Sequence, residues 1–297
     1  MRRLIASLAF AAATMTANSA AIAATKPAST AAKPAPAAPA LKVASADGVP
    51  IAYEVHGQGS PALILVHGWS CDRGYWKEQI ADLSVQYQLV LIDLAGHGES
   101  GMARKNYTME AFGDDVAAVV QKLDLKNVVL VGHSMGGDVI VEAARKLPGR
   151  VTGLVMVDTY KTLGQPSDEA AVQAFIGRFR KDFRGTTNSF VRSLFGPEAD
   201  PKLVDRIAKD MAAAPPAVAL SALENSFTHE RAAEAALLAL KLPVRAINAD
   251  NSPTDHEALA KYGVKAYVMP GVGHFLILED PPRFNRSLDS VVKGFAQ

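Results

Sequence analysis

The 297-residue chain carries 31 Lys and Arg against 30 Asp and Glu, a formal net charge of +1. So weak a field cannot track a phosphate backbone, and no nucleic-acid partner is expected. Apolar residues at 49% and charged ones at 21% exclude wholesale disorder, and the single Cys71 excludes both an intramolecular disulfide framework and a cysteine-based zinc site.

The first 40 residues hold 17 Ala and 4 Pro, with charge only at Arg2, Arg3, Lys26 and Lys33. Met1-Arg2-Arg3 is a basic start, Leu4 to Met15 an apolar stretch too short to span a bilayer comfortably, and Ala21-Ile22-Ala23 a small-x-small cleavage signal. Residues 1–23 are therefore expected to be a secretory signal peptide. The mature protein would be exported, to a periplasm or the medium, with no stable membrane span. Spaced prolines among small residues make 24–40 an extended linker. The folded domain is expected over 41–297.

Two short runs, Leu41–Ala46 and Pro50–His56, flank Asp47-Gly48 and predict a hairpin. Pro61–Val66 is continuously apolar, as in a strand buried on both faces. Helical spacing follows over Trp76–Gln86, then a strand over Tyr87–Leu94. Thr108 is placed to cap a helix that carries Met109, Phe112, Val116, Val119, Val120 and Leu123 on one face. Asn127–Val131 and Val151–Val157 read as strands around a helix over Asp138–Leu147. Pro243–Asn248 and Val264–Met269 read as two more strands separated by a helix, and Pro282–Phe295 as a terminal helix. This alternation predicts a parallel sheet covered on both faces. Between about 160 and 240 it lapses into helical patterns alone: Val172, Phe175, Ile176, Phe179 and Phe183 form one stripe, Leu203, Ile207 and Met211 another, and Pro215-Pro216 opens a third helix. Such an insertion predicts a cap over the C-terminal edge of the sheet, where open α/β sheets place their ligands.

In Gly132-His133-Ser134-Met135-Gly136 an apolar strand runs directly into a helix. A G-x-S-x-G pattern in that context sets Ser134 on a strained turn above the sheet edge, with the Met135 N–H at the helix N-terminus where an oxyanion would form. A serine hydroxyl needs a base to take its proton. His274, in Gly271-Val-Gly-His-Phe275 after the last strand, is the candidate. His67-Gly68-Trp69 follows the third strand, where the Trp69 N–H offers a second oxyanion donor and His67 is read as an orienting residue. His56, His97, His133, His229 and His256 are read as structural or solvated, and Cys71 as a buried structural thiol. No ligand spacing or phosphate loop is evident, so no metal and no cofactor is expected.

Together, His67-Gly68-Trp69, Asp93-Leu-Ala-Gly-His-Gly-Glu-Ser100, Gly132-His-Ser-Met-Gly-Gly137 and Gly273-His274 resemble the α/β-hydrolase superfamily, of the α/β-hydrolase-1 serine hydrolase or esterase type, from about residue 42 to 296. The resemblance implies an α/β-hydrolase fold: a mostly parallel eight-stranded sheet, helices on both faces and an inserted helical cap. It also implies a Ser–acid–His triad, with Ser134 as nucleophile, His274 as base and the N–H groups of Trp69 and Met135 as oxyanion hole. Asp93 and Gly96–Ser100 match a structural turn of the family.

The acid departs from the pattern. Where the family carries Gly-x-x-Asp, this chain reads Ala246-Ile-Asn-Ala-Asp-Asn-Ser-Pro253, which puts Asn251 in the acid's place. A shift of one residue selects Asp250, which is the expectation here. Asp158, ending Val155-Met-Val-Asp158, is the rival, and Asp255 a third choice. The implied function is hydrolysis of a small or medium-sized carboxylic ester through an acyl-Ser134 intermediate. A lactonase or thioesterase would use the same triad, and a hydrolase-fold small-molecule receptor with little turnover is the alternative outside catalysis. The oligomeric state is not legible in the sequence.

Overall fold

The computed structural model describes residues 40–165 and 168–295. The expected signal peptide, and the linker up to residue 39, lie outside them.

Eight strands form one sheet: β1 (Leu41–Ala44), β2 (Pro50–His56), β3 (Ala62–Val66), β4 (Gln88–Ile92), β5 (Val128–His133), β6 (Val151–Val157), β7 (Val244–Ala249) and β8 (Val264–Met269). Their spatial order is β1-β2-β4-β3-β5-β6-β7-β8. The β1–β2 and β2–β4 pairs are antiparallel, and every pair from β4 through β8 is parallel. All residues of β3 and of β5 are buried, which explains why both read as unbroken apolar runs. At the far edge, Tyr267 and Val268 of β8 remain exposed.

Helices α1 (Lys77–Leu83), α2 (Met109–Lys122) and α3 (Met135–Lys146) connect the central strands. The β3–α1–β4 crossover runs one way along the sheet, whereas those through α2 and α3 run the other. Right-handed connections then put α1 on one face and α2 with α3 on the opposite one. Thr108 caps α2 as expected, its hydroxyl accepting from the Ala111 N–H at 3.1 Å. The helix expected over Trp76–Gln86 starts instead as a 3₁₀ turn, Arg73–Trp76, whose cap is Asp72.

Between β6 and β7 lie α4 (Glu169–Lys181), α5 (Phe183–Arg192), α6 (Pro201–Ala212) and α7 (Pro216–Leu240). The Phe stripe is thus split. At Asp182 the backbone turns to φ −146°, ψ 91°, and its carboxylate accepts from the Gly185 N–H at 3.0 Å, which starts a second helix. Inside the cap, Phe175, Phe179 and Phe190 meet edge to face. Short α8 (His256–Ala260) precedes β8, and α9 (Leu276–Glu279) and α10 (Pro281–Lys293) close the domain, with α10 packed on α1. Among the described residues no helix is long and apolar enough to cross a membrane.

Candidate active site

The parallel strands bring the loops after β3, β5, β6 and β8 to one edge, beneath the cap. Ser134, directly after β5, holds φ 54° and ψ −120°, a conformation that costs an L-residue steric strain. The strain is held in place: the Ser134 N–H donates to the Val157 carbonyl at 2.9 Å, and its own carbonyl accepts from the Gly137 N–H and the Thr159 hydroxyl. Gly136 lets the helix start this close to β3. A Cβ there would fall 2.6 Å from the Val66 carbonyl oxygen and 2.7 Å from that of His67.

His274 is fixed at three points. Its backbone N–H donates to the Leu194 carbonyl of the cap at 2.7 Å. Its carbonyl accepts from His133 Nε2 at 2.8 Å. Its ring Nδ1 lies 2.7 Å from Asp158 Oδ2, so with the proton on Nδ1, Nε2 is the basic nitrogen. Ser134 and His274 line the same cavity.

Asp158 is buried, on the loop directly after β6. Its other oxygen, Oδ1, accepts from the Ala249 N–H at 2.8 Å and lies 2.6 Å from Lys161 Nζ. Burial alone would raise this carboxyl, but the bond from His274 and the Lys161 ammonium outweigh it and hold the group ionised, well below the usual carboxylate range. The Lys161 ammonium is also buried and donates to the Ala249 carbonyl.

The neighbouring histidines are structural. His67 Nε2 accepts from the Leu94 N–H and Nδ1 donates to the Gly68 carbonyl, and burial lowers its pKa to about 4. Burial likewise lowers His97 and His133 to about 3. All three are neutral at pH 7. The Gly68 backbone lies against Ser134, since a Cβ on it would sit 3.2 Å from Ser134 Cβ. Trp69 lines the same cavity as Ser134, and Met135 opens α3 directly after it. The Trp69 indole donates to the Ala219 carbonyl of the cap at 2.7 Å. Cys71 Sγ donates to the Trp69 carbonyl, and burial pushes the thiol well above its ordinary pKa.

The cavity over Ser134 is about 20 Å³, walled by the apolar side chains of Trp69, Phe190, Leu194, Met211 and Phe275. That volume suits roughly one water molecule. The cap is therefore closed down on the serine.

The profile of the alpha/beta hydrolase fold family matches residues 61–281. The chain belongs to the α/β-hydrolase family. Among solved structures, a thermophilic esterase from Thermogutta terrifontis superposes with a TM-score of 0.74 at 26% identity, over 88% of this chain and 100% of that one. The enol-lactonase from Burkholderia xenovorans LB400 gives 0.73 at 19% identity, over 85% and 100%, a likeness of fold. A non-heme chloroperoxidase from Streptomyces lividans is 35% identical over 130 residues, 42% of this chain and 47% of the relative. The chain spans 35% to 57% of the lengths of the curated relatives it matches.

Against the family's motifs, Ser134, His274 and Trp69 line one cavity, and Met135 follows Ser134 as the first residue of α3. The geometry does not bring Asp250 to His274. Both Asp250 oxygens accept from the Gly271 N–H at 2.9 Å on an exposed surface, tying the end of β7 to the loop after β8. The space beside Ala249 is filled by Lys161, and the carboxylate that meets His274 is that of Asp158. Asp255 caps α8, accepting from the Ala258 N–H. Asp93 is structural, accepting from the N–H groups of Arg73 and Glu99 and from the Arg73 guanidinium.

His133, read as structural, holds the His274 carbonyl from inside the nucleophile motif. Two contributors went unread in the sequence. Lys161, three residues beyond Asp158, balances its charge, and that i, i+3 spacing was a usable signal. Glu279 accepts from the N–H groups of Gly273 and Phe275 on either side of His274.

Proposed function

We propose that this α/β-hydrolase cleaves a neutral carboxylic ester through an acyl-Ser134 intermediate. The observation that carries the reading is the 2.7 Å contact of His274 Nδ1 with the buried, ionised Asp158, beside a strained Ser134 at the sheet edge. His274 Nε2 takes the Ser134 proton as Oγ attacks the ester carbonyl. The N–H groups of Trp69 and Met135 receive the oxyanion, one such donor being worth about 3 kcal/mol in the transition state. The proton passes from His274 to the leaving alcohol. Water, activated by the same nitrogen, then releases the acid and restores Ser134. An apolar cavity wall favours an uncharged acyl group, and the likeness to an esterase and an enol-lactonase keeps open esters and lactones within one mechanism. Similarity to a non-heme chloroperoxidase supports a variant in which hydrogen peroxide replaces water in the second half-reaction, giving a peracid.

A panel of p-nitrophenyl esters of rising chain length, lactones and acyl thioesters tests the proposal. Wild type should turn over the esters, and Ser134→Ala should lose about three to six orders of magnitude in kcat with little change in stability. A fluorophosphonate should label wild type and leave Ser134→Ala unmodified. Labelling that survives the substitution, or cleavage that stops after one equivalent on every substrate, rejects the enzyme reading, the latter in favour of a receptor.

We further propose that residues 1–23 direct export, on the basic, apolar and small-residue pattern from Met1 to Ala23. Intact mass of protein recovered from the periplasm or medium of a secreting host should place the N-terminus near Ala24. A full-length mass in that fraction would reject it.

A further inference from the structure

Glu279 stands outside the proposed chemistry, yet its carboxylate joins the two parts of the molecule that must meet for that chemistry to occur. Oε2 accepts from the Gly273 N–H at 2.9 Å and from the Gly196 N–H at 3.0 Å; Oε1 accepts from the Phe275 N–H at 3.2 Å. Gly273 and Phe275 flank the base. Gly196 belongs to the cap, on the strap between α5 and α6. Two residues earlier on that strap, the Leu194 carbonyl accepts from the His274 N–H, and Phe195 stacks on Phe275 with ring centroids 4.8 Å apart. The strap and the histidine loop are therefore laid against each other and stitched by one side chain.

The cavity over Ser134 adds the second observation. At about 20 Å³ it admits no ester while the cap is seated, and Leu194 of the strap is part of its wall. Substrate admission displaces wall residues, and any shift of Leu194 pulls on the bonds that hold His274. From this geometry we infer that Glu279 is a positioning residue that couples the cap to the base: His274 is aligned on Ser134 when the strap is down and Gly196 is bound, and loses alignment when the strap lifts. The inference rests on the hydrolase reading above and deepens it by assigning a control of base alignment to the cap.

The chemistry requires a carboxylate. Two oxygens supply enough lone pairs for three N–H donors. An amide supplies one oxygen and sets an NH₂ group against at least one backbone N–H, so Glu279→Gln keeps the size of the side chain and breaks part of the clamp. Glu279→Asp keeps the charge and shortens the reach by one methylene. Gly196→Ala works from the other side, since its Cβ would fall 2.9 Å from the Gly273 nitrogen and 3.1 Å from Glu279 Oε2.

The test measures kcat and KM of wild type, the three single variants and the Glu279→Gln/Gly196→Ala double variant, on p-nitrophenyl acetate, well below each thermal midpoint. Glu279→Gln should lower kcat by about 10- to 100-fold, the scale of an ångström-sized misplacement, with KM within about twofold; Glu279→Asp should recover part of the loss. The double variant should be no slower than the slower single variant, because both act on one coupling. A purely structural Glu279 predicts a lowered midpoint with unchanged kcat, and independent sites predict that the losses multiply. Either result overturns the inference. A readout free of turnover accompanies it: the low-field proton resonance of His274 Nδ1–H, present in wild type, should shift or broaden in Glu279→Gln and stay in place if Glu279 does not align the ring. If wild type cleaves esters while Glu279→Gln matches it, the clamp fails and the hydrolase stands. If wild type cleaves none of the panel and takes no fluorophosphonate, the hydrolase reading fails and the resonance alone decides the clamp.

Discussion

At Asp158 a single carboxylate meets three demands: it orients His274, accepts the Ala249 N–H and neutralises Lys161. Replacing it by Asn keeps the shape and removes the charge. Asp158→Asn should lower kcat by roughly 10³–10⁴, because the amide favours the wrong imidazole tautomer and cannot stabilise the imidazolium. It should also lower the thermal midpoint, since the buried Lys161 ammonium loses its counter-charge. Asp250→Asn, on the exposed loop, should cost under about tenfold; esterase kinetics with parallel melts separate the two, and the reverse order would return the acid to Asp250. Depression of the Asp158 pKa also fixes a sign. Its contribution to stability is complete above the ordinary carboxylate range and is lost as the pH falls through the folded value. The sequence made Ser134 and His274 legible because their motifs are local. The acid was not, because its identity depends on which of two neighbouring strand ends faces the histidine, and although Lys161 stands three residues beyond Asp158, only the fold shows which carboxylate reaches His274 Nδ1.

Elements buried on both faces, such as β3 and β5, were legible because nothing polar interrupts them. The cap was legible as helical but not in its parts: apolar spacing runs from Phe179 to Phe183 across the turn at Asp182, so α5 was hidden in the stripe of α4. The seam between cap and core was wholly hidden. There His229 of α7 places Nε2 2.8 Å from Glu142 Oε1 of α3, with Nδ1 3.7 Å from Asp138 Oδ1. Arg145 also pairs with Glu142, Tyr160 donates to Asp138, and Glu110 of α2 borders the group. Burial opposes a charge on His229, but the two carboxylates outweigh it and raise the pKa to about 9. A folded pKa above the ordinary 6.5 means that this contribution to stability is complete below pH 6.5 and lost as the pH rises through 9. The thermal midpoint of wild type should therefore fall between pH 7 and 10 by more than that of His229→Gln. Parallel slopes for the two proteins would show that the pair contributes nothing titratable to the seam.

For the molecule as a whole, a groove of about 470 Å³ is lined by α4 and α5 of the cap, and Phe190 lines both that groove and the cavity over Ser134. Its ring borders both spaces. On the proposed hydrolase reading, a chamber that holds one water when shut would open once to take in the ester and again to let the acid leave, so each turnover would contain two strokes of the cap, and the protein would behave as a valve as much as a catalyst. Strokes of this kind displace solvent and are slowed by friction, whereas bond-making at Ser134 is not. The kcat of wild type on a reactive ester should decline as sucrose thickens the buffer, and the decline should be shallower in Phe190→Ala, which removes a ring shared by the groove and the cavity. A kcat indifferent to viscosity in both proteins would place the slow step in the chemistry. Were the valve to set the pace, the number of esters cleaved each second would be governed by how readily a helix of the cap moves aside, and substrates of very different intrinsic reactivity would be consumed at nearly one speed.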